Sequence, residues 1–217
     1  MSDLNAQLRI TELFFSLQGE TSRIGFPTVF IRLTGCPLRC VYCDTSYAFT
    51  GGKNYTLAEI LKQVAQYTPR YVTVTGGEPL AQKNCLALLK ALCDAGYHVS
   101  LETSGALDIS AVDARVMRVV DIKTPASGEV DKNRWDNIEL LTPQDEIKFV
   151  LCDENDYNWA RQILTQHQLA DKCEVLFSPA QGALSATQLA DWILRDHLPV
   201  RFQLQLHKIL WNNEAGH

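Results

Sequence analysis

The 217-residue chain is 46% hydrophobic and 21% charged, with a formal net charge of −5. That composition excludes a disordered chain and fits one globular domain, residues 1–217, with a sizeable core. The acidic balance, with no Lys/Arg run, excludes a general grip on nucleic acid. No stretch approaches the ~18 uninterrupted apolar residues of a membrane span. The opening "MSDLNAQLRI" lacks the basic and apolar regions of a secretion signal. These readings place the protein in the cytoplasm, where disulfides are rare and clustered cysteines point to metal or redox chemistry.

In chain order, "TVFIRL" (28–33) reads as a strand. "TLAEILKQVAQY" (56–67) carries helical apolar spacing, with Thr56 and Glu59 set as a capping box. "YVTVT" (71–75) is a strand, and "LAQKNCLALLKALCDAG" (80–96) a helix stopped by Gly96. Strands follow at 98–103, 116–123 and 146–151, then a helix at 156–169, a strand at 174–178, a helix at 185–197 opened by Ser185 and Gln188, and a strand at 201–209. The alternation predicts βα units and a parallel sheet, an α/β fold, without separating a barrel from a doubly wound sheet. Polar clusters fall just after strands: "TGGEP" (75–79), "ETSG" (102–105), "DIKTP" (121–125) and "FSPA" (177–180). That edge of a parallel sheet is where ligands bind.

Seven cysteines are present. Cys85, Cys93, Cys152 and Cys173 are scattered and read as small core residues. Cys36, Cys40 and Cys43 form C-x3-C-x2-C in a Gly- and Pro-containing loop, with no fourth Cys or His nearby. Structural zinc normally takes four protein ligands. A four-iron cluster with three protein thiolates, one iron left open to an outside ligand, is the other reading.

This motif, with Tyr42 before the last cysteine and "TGGEP" after the next strand, resembles the radical S-adenosylmethionine (radical SAM) superfamily. A narrower resemblance, to the 7-carboxy-7-deazaguanine synthase family, spans nearly the whole chain through "ELFFSLQGET", "FIRLTGCPLRCVYCDT", "VTGGEP", "ETSG", "DIKTP" and "LQLHK". It implies a partial (β/α) TIM-like barrel and a homodimer. It implies that Cys36, Cys40 and Cys43 hold a [4Fe–4S] cluster, whose open iron chelates S-adenosylmethionine, and that Thr45 ligates Mg2+. Gly76, Gly77 and Glu78 would face the methionine part, the Glu78 carboxylate suiting its ammonium group. Ser104, Asp121, Ile122, Lys123, Ser178, Pro179 and Ala180 match further cofactor contacts. Leu17, Gln18, Gly19 and Glu20 match a pterin-binding loop, Arg32 the arginine that holds the substrate carboxylate, and Thr75, Gln205 and His207 further substrate contacts.

The implied reaction turns 6-carboxy-5,6,7,8-tetrahydropterin into 7-carboxy-7-deazaguanine, releasing ammonia, for queuosine and other 7-deazapurines. A 5′-deoxyadenosyl radical would take the C6 hydrogen and later return it, Mg2+ would assist ring contraction, and flavodoxin or ferredoxin would supply the electron. An activase of glycyl-radical enzymes would share the cysteines and "GGEP", but "SLQGE", Arg32 and "CDT" speak against it. A non-enzymatic zinc protein would show zinc without iron.

Overall fold

The predicted strands assemble into one sheet in the computed structural model, which describes residues 3–212 and Gly216. In chain order its elements are β1 (Gln7–Leu17), β2 (Pro27–Leu33), β3 (Lys53–Thr56), α1 (Leu57–Ala65), β4 (Tyr71–Gly76), α2 (Cys85–Asp94), β5 (His98–Thr103) and β6 (Met117–Asp121). Then come β7 (Glu146–Leu151), α3 (Glu154–Gln166), α4 (Leu169–Lys172), β8 (Glu174–Pro179), α5 (Ala186–Arg195), β9 (Arg201–Phe202) and α6 (Leu206–Trp211).

The sheet order is β3-β1-β2-β4-β5-β6-β7-β8-β9. From β2 onward every neighbouring pair is parallel. β1 and β3 add antiparallel strands at one edge. Among the described residues the sheet runs from β3 to β9 without closing, as expected of a partial barrel. None of the described helices is long and apolar enough to cross a membrane.

Local chemistry accounts for the helix ends. The Thr56 hydroxyl accepts from the Glu59 amide while the Glu59 carboxylate accepts from the Thr56 amide, so both arms of the capping box form. Such a cap is worth about 1 kcal/mol. At α5, Ser185 accepts from the Gln188 amide. Gly96 adopts φ +89° just past α2, the left-handed stop expected there.

Several boundaries differ from the sequence reading, each for a physical reason. The predicted helix 80–96 divides into a 3-10 turn (Pro79–Ala81) and α2, because Gln82 and Asn84 spend their amides on the backbones of Arg9, Thr34 and Gln7. The helix predicted at 156–169 starts earlier, at the Asp153 cap, and breaks at Gln168 (φ +50°). The strand predicted at 201–209 pairs only through Phe202, and α6 takes its place. β1 and β3 form an antiparallel extension that the sequence pattern does not predict. Of the four scattered cysteines, Cys85 and Cys173 are buried as expected, whereas Cys93 and Cys152 are half-buried; all seven are free thiols.

The core lies between the sheet and its helices. Val72 and Val74 of β4, Val99 and Leu101 of β5, and Leu88, Leu89 and Leu92 of α2 join it. Full burial of each such leucine stabilises the fold by about 2 kcal/mol. The alternate residues of the same strands point inside the barrel, where they are polar. Thr73 links to Gln18 (3.2 Å) and to Ser100 (2.8 Å), and one layer further up Thr75 donates to Glu102 (3.0 Å).

Candidate active site at the strand ends

A cavity of about 560 Å³ opens over the C-terminal ends of the parallel strands. Every sequence-predicted site residue lines it except Glu78 and Ile122.

The cysteine loop crosses the mouth of this cavity. It is pinned by backbone bonds from Gly35 to Ala48 (2.8 Å), from Glu78 to Gly35 (2.9 Å) and from Val41 to Ser127 (3.0 Å). The three thiols are half-buried. Burial, with repulsion from neighbouring acids and thiols, pushes Cys36 and Cys40 up, opposed in both cases by the Lys123 ammonium. Lys123 itself is buried 3.0 Å from Asp121. Burial works against its charge, but Asp121 outweighs it and holds the ammonium above its usual value. Among the described residues no group of three or more Cys, His, Asp and Glu is gathered around one cation position.

The glycines of "TGGEP" are required by packing against that loop. A Cβ on Gly77 would lie 2.4 Å from the Gly35 carbonyl oxygen and 2.7 Å from the Cys36 Cβ. One on Gly76 would lie 2.4 Å from the Leu33 carbonyl oxygen.

The family resemblance sets the Glu78 carboxylate against the methionine part of the cofactor. Glu78 is fully buried and is not among the residues that line the cavity. Its two oxygens accept from the Leu80 amide (2.9 Å), the Thr103 hydroxyl (2.9 and 3.0 Å), and the amide (2.7 Å) and hydroxyl (2.5 Å) of Ser104. With these bonds it fixes the "ETSG" turn. Ile122 is likewise a core residue, its side chain 4% exposed.

Among the buried polar atoms that lack a partner within the described residues are Asp121 Oδ1 and Ser178 Oγ. Buried polar atoms are normally paired. Both residues line the cavity, so these atoms fit a bound polar cofactor on this wall.

The facing wall comes from β1, β2, the Gln18–Glu20 loop and α6. Glu20 is buried, with Oε2 2.7 Å from Lys148 Nζ and Oε1 accepting from Gln205 (2.6 Å). Burial acts to raise its pKa, but Lys148 and Gln205 prevail and hold it below its usual value. α6 docks on this loop through the Leu206 amide to the Gly19 carbonyl (2.9 Å). Its Lys208 reaches Asp44 (2.8 Å), and Asp44 also accepts from the Thr45 hydroxyl (2.9 Å). His207 therefore sits on a short helix, not on the closing strand predicted for it. Burial pulls its pKa down, against the attraction of Glu20. Arg32 is fixed by Glu12 (2.6 Å).

The sequence reading missed Lys148 and Glu102, both deep in the cavity wall. Burial lifts the Glu102 carboxyl above its usual value, with Lys148 working against that shift. Their signal was alternation: Ser100 and Glu102, and Glu146 and Lys148, are polar at every second position of otherwise apolar strands.

Comparison with known proteins agrees with this geometry. Residues 30–121 match the radical SAM superfamily. A 7-carboxy-7-deazaguanine synthase from Chlorobaculum tepidum is 46% identical over 213 residues, covering 97% of both chains. One from Koribacter versatilis is 44% identical, covering 96% of this chain and 99% of its own. The crystal structure of QueE from Escherichia coli is 23% identical and superposes with a TM-score of 0.74, covering 91% of this chain and 94% of that one, which shows a shared fold. Superfamily membership implies a [4Fe–4S] cluster and S-adenosylmethionine. On this near-full-length identity, the chain belongs to the 7-carboxy-7-deazaguanine synthase family of radical SAM lyases.

Proposed function

We propose that the protein converts 6-carboxy-5,6,7,8-tetrahydropterin to 7-carboxy-7-deazaguanine with loss of ammonia, a step toward queuosine and other 7-deazapurines. The observation that carries this reading is the pairing of two unlike walls in one cavity. One holds three thiols with the orphaned Asp121 and Ser178 oxygens; the other holds a buried, ionised carboxylate, Glu20, beside a guanidinium, Arg32.

When bound, the cluster and S-adenosylmethionine supply the radical chemistry. The chain's own residues do the rest. Cys36, Cys40 and Cys43 serve as the cluster thiolates, and Lys123 favours the charged form of Cys36 and Cys40. Gly76, Gly77, Ser104, Asp121, Lys123 and Ser178–Ala180 line the cofactor side. Glu20 offers a fixed anion to the paired N–H groups of the pterin's guanidine-like edge, a charge-assisted arrangement. Arg32 takes the substrate carboxylate. Leu17, Gln18, Gly19, Thr75, Gln205 and His207 complete that pocket. Thr45 is the proposed protein ligand of Mg2+; its oxygen, with the adjacent Asp44 carboxylate, suits a hard cation that keeps waters and substrate oxygens. A flavodoxin- or ferredoxin-type donor, a homodimer and a cytoplasmic setting complete the proposal.

The test is anaerobic reconstitution followed by assay with the carboxylated tetrahydropterin, with and without Mg2+. The expected result is Mg2+-stimulated 7-carboxy-7-deazaguanine without stoichiometric 5′-deoxyadenosine. A full cluster and bound cofactor that yield no product overturn the reading.

A further inference from the structure

Arg32 is held in an unusual way. In β1 the register with β2 shifts between Ile10 and Glu12. Before the shift, Ile10 pairs with Leu33 and both lie in the core. After it, Glu12 pairs with Arg32 and Phe14 with Phe30, and these four line the cavity. A bulge re-aims side chains in this manner. Without it, strict alternation would keep Glu12 on the face of Ile10. The irregularity therefore delivers a carboxylate beside Arg32 inside the cavity.

Glu12 Oε1 accepts from Arg32 Nε (2.6 Å) and from the Tyr47 hydroxyl (2.8 Å). The rings of Phe14 and Tyr47 flank the guanidinium, with centroids 6.0 and 5.9 Å from its central carbon. The Arg32 side chain is 17% exposed, and neither terminal nitrogen has a protein partner among the described residues. One edge of the guanidinium is thus clamped, while the edge that pairs with a carboxylate is left open. Tyr47 lies in the 3-10 turn Ser46–Phe49 that follows Thr45, so its bond to Glu12 also ties that turn to β1.

We propose that Glu12 and Tyr47 are positioning residues that lock the Arg32 guanidinium so that its open edge meets the carboxylate of the substrate. This rests on the assignment of Arg32 to that carboxylate. The bond at Nε prevents rotation about the side chain's last torsion, and the two rings restrict tilting. A two-pronged contact depends on that geometry, since a guanidinium free to swing loses one of its two bonds.

The experiment uses reconstituted holoenzyme with Tyr47→Phe, which keeps the ring and removes the bond, and Glu12→Gln, which removes the charge. Two quantities are read: kcat and KM for the carboxylated tetrahydropterin, and the inhibition constant of a tetrahydropterin lacking the carboxylate. Loss of one charge-assisted bond predicts a KM rise of roughly threefold to tenfold for Tyr47→Phe and at least tenfold for Glu12→Gln. kcat is expected within about twofold, and the inhibition constant unchanged, because the inhibitor never engages Arg32. An equal penalty on both ligands, or a fall in kcat with KM unchanged, overturns the positioning role. Arg32→Ala is the control. If it too weakens both ligands equally, the assignment of Arg32 fails instead, and the two failures are distinguishable. Should Glu12→Gln fail to fold, Tyr47→Phe alone decides, since Tyr47 is half exposed and supports no core contact.

Discussion

Removing the Lys148 ammonium, as in Lys148→Met, is the sharpest probe of the buried charges. Lys148 Nζ lies 2.7 Å from Glu20 and 3.8 Å from Asp121, and the Lys148 and Glu20 side chains are only 12% and 11% exposed. Breaking a buried pair by removing one member costs about 3–5 kcal/mol, because the other charge stays behind uncompensated. Glu20 keeps its bond from Gln205 and the cavity admits water, so the low end applies, about 3 kcal/mol near neutral pH.

The pH dependence follows from the directions of the shifts. Glu20 sits below its usual value in the native protein, despite burial, so its contribution is present above the unfolded value of about 4.3 and is lost as pH falls through its folded value. Lys148 is held well above its usual value by its acidic neighbours, despite burial, so its contribution persists at every pH below about 10.4. In the variant the ammonium that held Glu20 down is gone, and burial, with Asp44 nearby, works against the remaining bond from Gln205, so protonation relieves the strain. Urea unfolding of anaerobically purified protein should give a gap of about 3 kcal/mol at neutral pH that shrinks toward pH 4. A gap below about 0.5 kcal/mol, the level of ordinary surface substitutions, or one that does not change over that range, refutes the reasoning.

Gly77→Ala should leave the sheet folded but force the cysteine loop outward, since its Cβ meets the Gly35 carbonyl at 2.4 Å; iron and sulfide per chain, measured after anaerobic reconstitution, should fall to less than about half of the parent value. Glu78→Gln places an amide donor against the Ser104 amide and hydroxyl, at a cost of about 1–3 kcal/mol, and should lower the melting temperature by several degrees while weakening S-adenosylmethionine binding through the displaced "ETSG" turn. Gly19→Ala drives a Cβ to 2.5 Å from His207 Nδ1, so α6 or the ring must shift; iron content should be unchanged and the pterin KM raised roughly tenfold, read by steady-state kinetics.

The parts of the fold and site that the sequence displayed are those with purely local causes. C-x3-C-x2-C, the Thr56–Glu59 box and the polar strand ends are short patterns whose meaning needs no tertiary context. The misreadings arose where distant contacts decide. "LQLHKI" alternates with period two and reads as a strand, yet β9 stops at Phe202 because Leu206 and Lys208 find partners in Gly19 and Asp44. Glu78 was correctly placed at a strand end, but no sequence pattern says which way a carboxylate turns, and three donors from "ETSG" captured it. Lys148 carries no motif of its own in the strand 146–151; only a barrel interior already lined with Thr73, Thr75, Ser100 and Glu102 makes it a candidate site residue. The β1 register shift leaves no mark in "QLRITELFFSL" at all.

The two walls also differ in where their residues come from, and that bears on what sets specificity. Residues 30–121, the superfamily segment, contain the three cysteines, Gly76, Gly77, Ser104 and Asp121. They contain Arg32 and Tyr47, but not Glu12, the other residue proposed to orient the guanidinium, nor the residues proposed to face the pterin edge. Glu12, Gln18 and Glu20 precede the segment, and Lys148, Gln205 and His207 follow it. The parallel strands thus present the cofactor side with backbone-built turns, which tolerate little change because Leu33, Gly35 and Glu78 close on them. The proposed substrate side is assembled from side chains on the antiparallel strand β1, a loop and a six-residue helix, joined by ion pairs and amide bonds. Such contacts can be exchanged singly without opening the core. On the proposed roles, substitutions at Glu12, Gln18, Glu20, Gln205 and His207, all outside residues 30–121, should alter KM and selectivity before they alter cluster or cofactor binding.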